Sequence, residues 1–426
     1  MLNYFSIGIF AIVYLLIIFR NFRRFRLPVW TIMMAGAVSM IFFNAIPLNA
    51  AYSAVNLDVI FFLLGMFTVV AAMDISGLLE FLTLRMLVFA RSPQRAFAII
   101  FFGMSALSAF LVNDTLALMA TPIMIGVAKQ MRMRPSVLLI TLAMGVTVGS
   151  TLMPIGNPQN LLVAISSGIP NPLFNFLHFL LLPTVLCLAT TYAILRTYYR
   201  KELKGSSLEG FQAAPKRAVK DAKLAKLSGW VAVLVVTGFF AVGAAELFGV
   251  SGNFNLGTVA LAAAVVLFVV SEKRREILGK VDWGIIMFFI SLFIVMEAFW
   301  RSNALQELLV YVPALNPSDQ NASLGPILIT SLLFSQLLSN VPFVAVYIRV
   351  LQAAGFTGVS VKAWVALAGA STLAGGLTLL GAASNVIVLE QAESRGAGFS
   401  FVEFAKIGLI VTIPNFLILF ALLWIL

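Results

Sequence analysis

Apolar residues in this chain come in long unbroken runs, without the alternation of a strand or the single stripe of a surface helix. Runs near twenty residues suffice to cross a hydrocarbon core of about 30 Å as helix. They predict spans at 5–19, 28–47, 58–80, 136–165, 173–198, 229–248, 255–271, 283–301, 361–390 and 407–426. Two stretches, 96–128 and 322–350, follow another pattern: each is too long for one span and is interrupted by polar residues, Asn113-Asp114 and Ser339-Asn340. A half of about 14 residues makes only about 21 Å of helix, too short to cross. Both stretches are therefore expected to be re-entrant hairpins with their tips inside the protein. The predicted fold is an all-α polytopic membrane protein of about ten transmembrane helices and two re-entrant hairpins.

The hairpin tips open onto a repeat. Asn113-Asp114-Thr115 corresponds to Ser339-Asn340-Val341 (339 − 113 = 226), and the preceding Gly65-Met66-Phe67 to Ser291-Leu292-Phe293 at the same offset. Further on, Gly156-Asn157-Pro158-Gln159-Asn160 matches Gly381-Ala382-Ala383-Ser384-Asn385 (381 − 156 = 225). Each half reads span, hairpin, broken span, span. Residues 1–199 carry the first copy, 200–227 a basic linker containing Pro215, and 228–426 the second copy.

Composition and charge set the solvent and the orientation. Hydrophobic residues make up 61% and charged residues 11% of 426 positions, against about 25% charged in a soluble domain. The net charge of +11 would suit nucleic acid, but the basic residues lie between apolar runs, as the positive-inside rule expects of cytoplasmic loops. Only Arg301, Arg349 and Lys362 of the 28 Lys and Arg fall on the outer side. The run 5–19 followed by Arg20, Arg23, Arg24 and Arg26 predicts a retained first span, and both termini come out facing outward in a plasma (inner) membrane. The first hairpin then enters from the cytoplasm and the second from outside, so the copies are inverted, as in many secondary transporters.

One cysteine, Cys187, and one histidine, His178, exclude a disulfide framework and a Cys/His zinc site. No cofactor is expected, and an enzyme has little support. His178 fits an interfacial structural role. No Gly-x-x-x-x-Gly-Lys-Ser/Thr loop is present, so the chain cannot hydrolyse ATP by that route.

Four polar breaks are expected to converge near the midplane: the two tips, Gly149 to Asn160, and Gly375 to Asn385. Pro154 and Pro158 remove two backbone donors and free carbonyls, tolerated in lipid only inside protein or beside a wet cavity. The candidate binding residues are Asn113, Asp114, Thr115, Ser150, Thr151, Gly156, Asn157, Asn160, Ser339, Asn340, Gly376, Ser384 and Asn385. Their oxygens suit a hard cation, with sodium placed at Asn113, Asp114 and Asn340, and the half-helix N-termini suit an anion. Helix capping alone is the alternative for each tip. Asp114 stands out: a carboxylate deep in the membrane is costly unless paired or protonated. It could bind a proton, ligate sodium or cap the half-helix beginning at Thr115. Glu297 is expected to pair with Arg301 near the outer end, and Asp74 to lie near the inner end.

These residues resemble the ion transporter superfamily, in particular its branch of arsenite/antimonite permeases and NhaD-type sodium–proton antiporters. The resemblance rests on Asn113 to Leu118 with Thr121-Pro122-Ile123, on Gly149 to Asn160, and on Ser339-Asn340-Val341-Pro342. It implies a homodimer in which a transport domain moves as an elevator against a scaffold. Dicarboxylate carriers of the superfamily have Ser-Asn-Thr at both tips; Asp114 departs from that pattern and would repel a carboxylate unless a cation sat between them. The resulting expectation is a proton- or sodium-coupled transporter of a small ion or polar solute. Metalloid or inorganic-ion efflux and sodium–proton exchange rank ahead of carboxylate uptake, with a passive channel as a further alternative.

Overall fold

The computed structural model describes residues 4–19, 27–207, 215–249, 254–302 and 315–426. Regular structure among them is entirely helical. The first half comprises α1 (Tyr4–Phe19), α2 (Val29–Phe42), α3 (Leu48–Ala54), α4 (Leu57–Ser76), α5 (Leu78–Leu87), α6 (Pro93–Phe110), α7 (Asn113–Gln130), α8 (Pro135–Gly149), α9 (Pro158–Ser166) and α10 (Pro172–Tyr198). Two short helices, α11 (Arg200–Gly205) and α12 (Pro215–Ala218), lead to α13 (Ala222–Leu247), α14 (Leu256–Val270), α15 (Arg274–Lys280) and α16 (Trp283–Arg301). The rest is α17 (Gln320–Leu338), α18 (Asn340–Ala353), α19 (Val361–Ala374), α20 (Ala383–Glu393) and α21 (Phe401–Ile425). Among the described residues, seven helices are long and apolar enough to cross a membrane, with shorter apolar helices beside them.

The breaks fall where proline and glycine predict them. The expected span 136–165 is α8, a 3-10 turn at Ser150–Leu152, then α9; 361–390 is α19, a turn at Leu379–Gly381, then α20. The repeat holds in the boundaries, since α8 and α19 end 225 residues apart (374 − 149) and α9 and α20 begin 225 apart (383 − 158). Hairpin arms differ from expectation in length. α6 and α7 have 18 residues each and α17 has 19; only α18 has 14. The arms lengthen at their outer ends, where Ser92 and Asp319 cap α6 and α17 through the amides of Arg95 and Ala322. Capping fixes a helix start ahead of the apolar run, which a hydrophobicity pattern alone does not show.

Packing separates the helices into layers. One apolar core joins α1, α2, α4, α13, α14 and α16, and both hairpin tips reach its edge. A second joins α6, α7 and α8 with α20 and the inner part of α21; a third joins α9, α18 and α19 with parts of α10 and α17. The halves cross over: α9 packs on α18 and α20 packs on α7. In the first layer α4 lies directly against α14, because Gly65 has no side chain; a Cβ there would sit 2.2 Å from the Ala260 carbonyl oxygen. Gly65→Ala is expected to force these helices apart and cost about 1–3 kcal/mol, read as a lower thermal midpoint of the purified protein in detergent.

The basic run at 20–26 lies outside the described residues. The described part of the linker holds no long amphipathic helix. It tucks against the end of α4 instead, where Lys220 N–H donates to Ser76 O at 2.9 Å. Gly77 makes this possible: at φ +77 its missing side chain leaves room for the Ala218 carbonyl.

Candidate functional site

The first tip closes onto the first break. Asn113 N–H donates to Gly156 O at 2.9 Å, and Asn113 Oδ1 accepts from Asp114 N–H at 2.8 Å. Asn113, Asp114 and Thr115 are all buried, and Asp114 is the one charged residue in the buried set among the described residues. Among the described residues, no side-chain hydrogen bond reaches its carboxylate. The Ser384 amide faces it from the start of α20.

The second tip is built differently. α17 ends on Ser339, which holds φ +69 without being glycine, a backbone strain that persists only where surroundings enforce it. Neither tip side chain caps the helix after Ser339, so capping does not explain this tip. Asn340 is buried, its Oδ1 has no partner, and its Nδ2 lies where a Cβ on Gly375 would be 2.9 Å away. From the first layer, Tyr14 OH donates to Pro342 O at 3.4 Å.

The two breaks are tied to each other by a reciprocal pair of contacts. Asn160 Nδ2 donates to the carbonyls of Ser150, Thr151 and Met153 at 3.1, 3.3 and 3.1 Å. Its Oδ1 accepts from Thr372 Oγ1 at 2.9 Å. In the other copy, Asn385 Nδ2 donates to Gly375 O at 2.6 Å and Oδ1 accepts from Thr147 Oγ1 at 3.5 Å. Both members repeat at one offset (385 − 160 = 225; 372 − 147 = 225). Each asparagine thus seals its own break and grips the threonine of the other. Asn157 adds to the first break: Oδ1 caps α9 through Asn160 N–H at 2.8 Å, while Nδ2 donates to Ser150 O, Ser150 Oγ and Thr372 Oγ1 at 3.1, 3.1 and 3.2 Å. Gly156 lets the turn close, since a Cβ would stand 2.4 Å from Ser150 O.

Most of the residues expected from sequence therefore meet here, with exceptions. Gly376 faces the other way, towards Thr412 on α21 and Met144. Ser339 bonds within its own hairpin, and the Thr151 side chain reaches only Thr147 O at 3.5 Å. No hydrogen bond joins the two tips among the described residues. Sequence reading missed Thr147, Thr372, Gln159 and Gln336. Gln159 Nε2 donates to Thr372 Oγ1 at 3.3 Å; Gln336 Nε2 donates to Ala374 O at 2.8 Å, and its Oε1 accepts from Thr378 Oγ1 at 2.8 Å. The two threonines share the repeat offset, which was the available signal; Gln336 had none.

Charges outside the site form ties between layers. Glu297 accepts from Arg301 Nε at 2.8 Å, as expected, and also pairs with Arg349 on α18 at 3.2 Å. Arg349 lies over the Trp300 ring at 5.4 Å. Asp74 pairs with Lys280 at 3.8 Å. His178 is exposed on α10 and stacks edge-on against Phe179.

Long apolar helices in two inverted copies, with buried polar groups gathered at two broken spans, define a multi-pass membrane transporter. The chain belongs to the citrate transporter family, which it matches over residues 14–374. It is 27% identical over 381 residues to an uncharacterized transporter of Mycobacterium tuberculosis, covering 87% of this chain and 86% of that one. A silicon efflux transporter of Oryza sativa subsp. japonica is 26% identical over 412 residues, covering 84% of each. The P protein of Mus musculus is 25% identical over 482 residues, covering 95% of this chain and 58% of that protein. In fold, the chain is similar to the YdaH transporter of Alcanivorax borkumensis, with a TM-score of 0.58 at 14% identity, over 99% of this chain and 97% of that one. It is a transporter and not an enzyme.

Proposed function

We propose that the chain is an ion-coupled secondary transporter of the elevator type, in which Asp114 carries the coupling proton or sodium ion. The observation that carries this reading is the burial of one carboxylate, Asp114, at a hairpin tip bonded to a broken span, with no side-chain donor on it among the described residues. An intramembrane carboxylate marks an ion or proton pathway by default. The layered packing supports an elevator, the first apolar core serving as scaffold and the hairpins with the broken spans as the moving unit. In this reading the protein works in the plasma membrane as a homodimer with both termini outside.

Small inorganic or metalloid solutes and sodium–proton exchange rank ahead of carboxylate uptake, on the side of the superfamily that holds arsenite permeases and NhaD-type antiporters. No Lys or Arg is buried with the site among the described residues, and one relative is named a silicon efflux transporter. The family's name favours citrate as the second reading; beside Asp114 a carboxylate would need an accompanying cation.

The test is flux in proteoliposomes carrying a pH-sensitive dye, with sodium, silicic acid, arsenous acid and citrate added in turn. Saturable, ion-dependent flux of one solute supports the reading; unsaturable single-channel currents overturn it. The Glu297–Arg349 pair bridges scaffold and moving unit and must open if the unit moves. Arg349→Gln is expected to change turnover by about two- to fivefold, as a part-exposed pair contributes about 1 kcal/mol or less. Glu297→Gln, which breaks the same tie from the scaffold side, should shift turnover by a similar factor, and the double variant should add little beyond either single change.

A further inference from the structure

We propose that the short helix α15 is a binding surface for anionic phospholipid, with Arg274 and Arg275 holding the phosphate of the headgroup.

The repeat separates what α15 needs for packing from what it does not. α3 and α15 are equivalent, since both ends repeat at the offset of 226 (274 − 48; 280 − 54). Each is a seven-residue elbow leading into a long helix, α4 or α16, and each packs on the long helix of the other copy. One equivalent position carries that contact: Ala51 and Ile277 (277 − 51 = 226) are fully buried in the first apolar core. The next residues, Tyr52 and Leu278, are both exposed. There the likeness ends. α3 reads Leu-Asn-Ala-Ala-Tyr-Ser-Ala and carries no charge, whereas α15 reads Arg-Arg-Glu-Ile-Leu-Gly-Lys. Leu48 and Asn49 stand where α15 has its arginines. Since α3 makes the same elbow uncharged, packing does not require the charges of α15.

Those charges divide by partner. Lys280 pairs with Asp74 on α4 at 3.8 Å, and Lys273, just before the helix, pairs with Asp221 at 3.2 Å. Arg274 and Arg275 are exposed and form no ion pair among the described residues. With Lys273, Glu272 and Glu276 they line an open cleft of about 340 Å³. The two glutamates are outweighed by α12 and the start of α13, which the Asp221 tie holds beside α15. That segment brings Lys216, Arg217, Lys220, Lys223 and Lys226 with no acid besides Asp221.

The depth suits a headgroup. Trp283 donates from Nε1 to Leu278 O at 3.1 Å, and Trp30 stands beside Gly284; both indoles are part exposed. Tryptophans mark the level where headgroups meet the apolar core. On the orientation proposed above, α15 faces the cytoplasmic leaflet, where anionic lipids attract basic residues next to the membrane. A guanidinium keeps its charge and offers paired donors that match two phosphate oxygens. Leu278, exposed on the same elbow, meets the start of the acyl chains.

The experiment is equilibrium binding of fluorescent phosphatidylglycerol and phosphatidylcholine to the full chain purified in detergent. Wild type is compared with Arg274→Gln/Arg275→Gln, with Arg274→Lys/Arg275→Lys, and with Lys201→Gln/Lys204→Gln, which removes two exposed charges from α11. Wild type is expected to bind phosphatidylglycerol at least tenfold more tightly than phosphatidylcholine. That preference should fall about tenfold in the glutamine pair at α15, fall less in the lysine pair, and stay within twofold in the α11 pair. The thermal midpoint of the α15 glutamine pair without added lipid should match wild type, because both arginines are exposed and unpaired there. An equal loss in the α11 pair would reduce the effect to diffuse attraction by the whole basic face and overturn the site. Equal binding of the two lipids by wild type overturns the ligand. Displacement of phosphatidylglycerol by an equal concentration of inorganic phosphate would assign the arginines to free phosphate and overturn the lipid surface.

Discussion

Asp114→Asn is expected to reduce coupled transport by about 100-fold or more while leaving the protein folded. Asparagine keeps the shape of the side chain and can still accept from the Ser384 amide, so the tip keeps its geometry. What it loses is the ability to take up and release a proton, or to balance a cation. Hydrogen bonds and contacts to a charged group are worth roughly 1.5–3 kcal/mol, and every 1.4 kcal/mol is about a tenfold effect on rate. Losing the carrier of the coupling ion adds to that. The measurement is the pH-dye flux assay with wild type and variant side by side. A variant that transports with the same rate and pH dependence as wild type would show Asp114 to be a structural group at the tip and nothing more.

Asn160→Ala should have the largest effect on folding. One carboxamide there holds three carbonyls of the first break and accepts from Thr372. Asn160 is fully buried, so its removal orphans several polar groups together. Each orphan costs roughly 1–3 kcal/mol, although alternative partners in the membrane-unfolded state reduce this. The net loss is expected to be about 3 kcal/mol, measured as a lower thermal midpoint and a broadened size-exclusion profile. Thr372→Val removes the hydroxyl shared by Asn157, Gln159 and Asn160 and should cost about 2 kcal/mol. The double variant should be less unstable than the two losses added, since both remove the same bond.

The sequence was informative wherever physics acts locally. Proline and glycine at 154, 156 and 158 announce a helix break whatever surrounds them, and the break lies there. Hydrophobic runs give the spans because lipid forces every crossing segment to be apolar. Hairpin arm lengths were less legible, because Ser92 and Asp319 start their helices upstream of the apolar run. Asp114 was legible as an anomaly of charge in an apolar stretch. Thr147 and Thr372 were not, since a threonine within a transmembrane helix commonly bonds its own preceding turn. Only the partner across the molecule gives either of them a role. Gln336 is hidden for the same reason: its contacts to Ala374 and Thr378 lie about 40 residues away. The state of each polar atom, engaged in Asn160 and without a partner at Ser384 Oγ, belongs to the assembled site alone.

The crossed asparagine–threonine pair has a consequence for biosynthesis. Asn160 waits for Thr372, which is 212 residues further along the chain. At about 5–20 residues per second of synthesis, that gap is roughly 10–40 s. Throughout it, the nascent first half sits in the bilayer with Asn160 Oδ1 lacking its threonine, which only the second half supplies. Expressed alone, either half should be degraded or aggregate; co-expressed as two polypeptides, the halves should rescue one another. The transporter is in this sense an internal heterodimer whose subunits happen to share one messenger RNA.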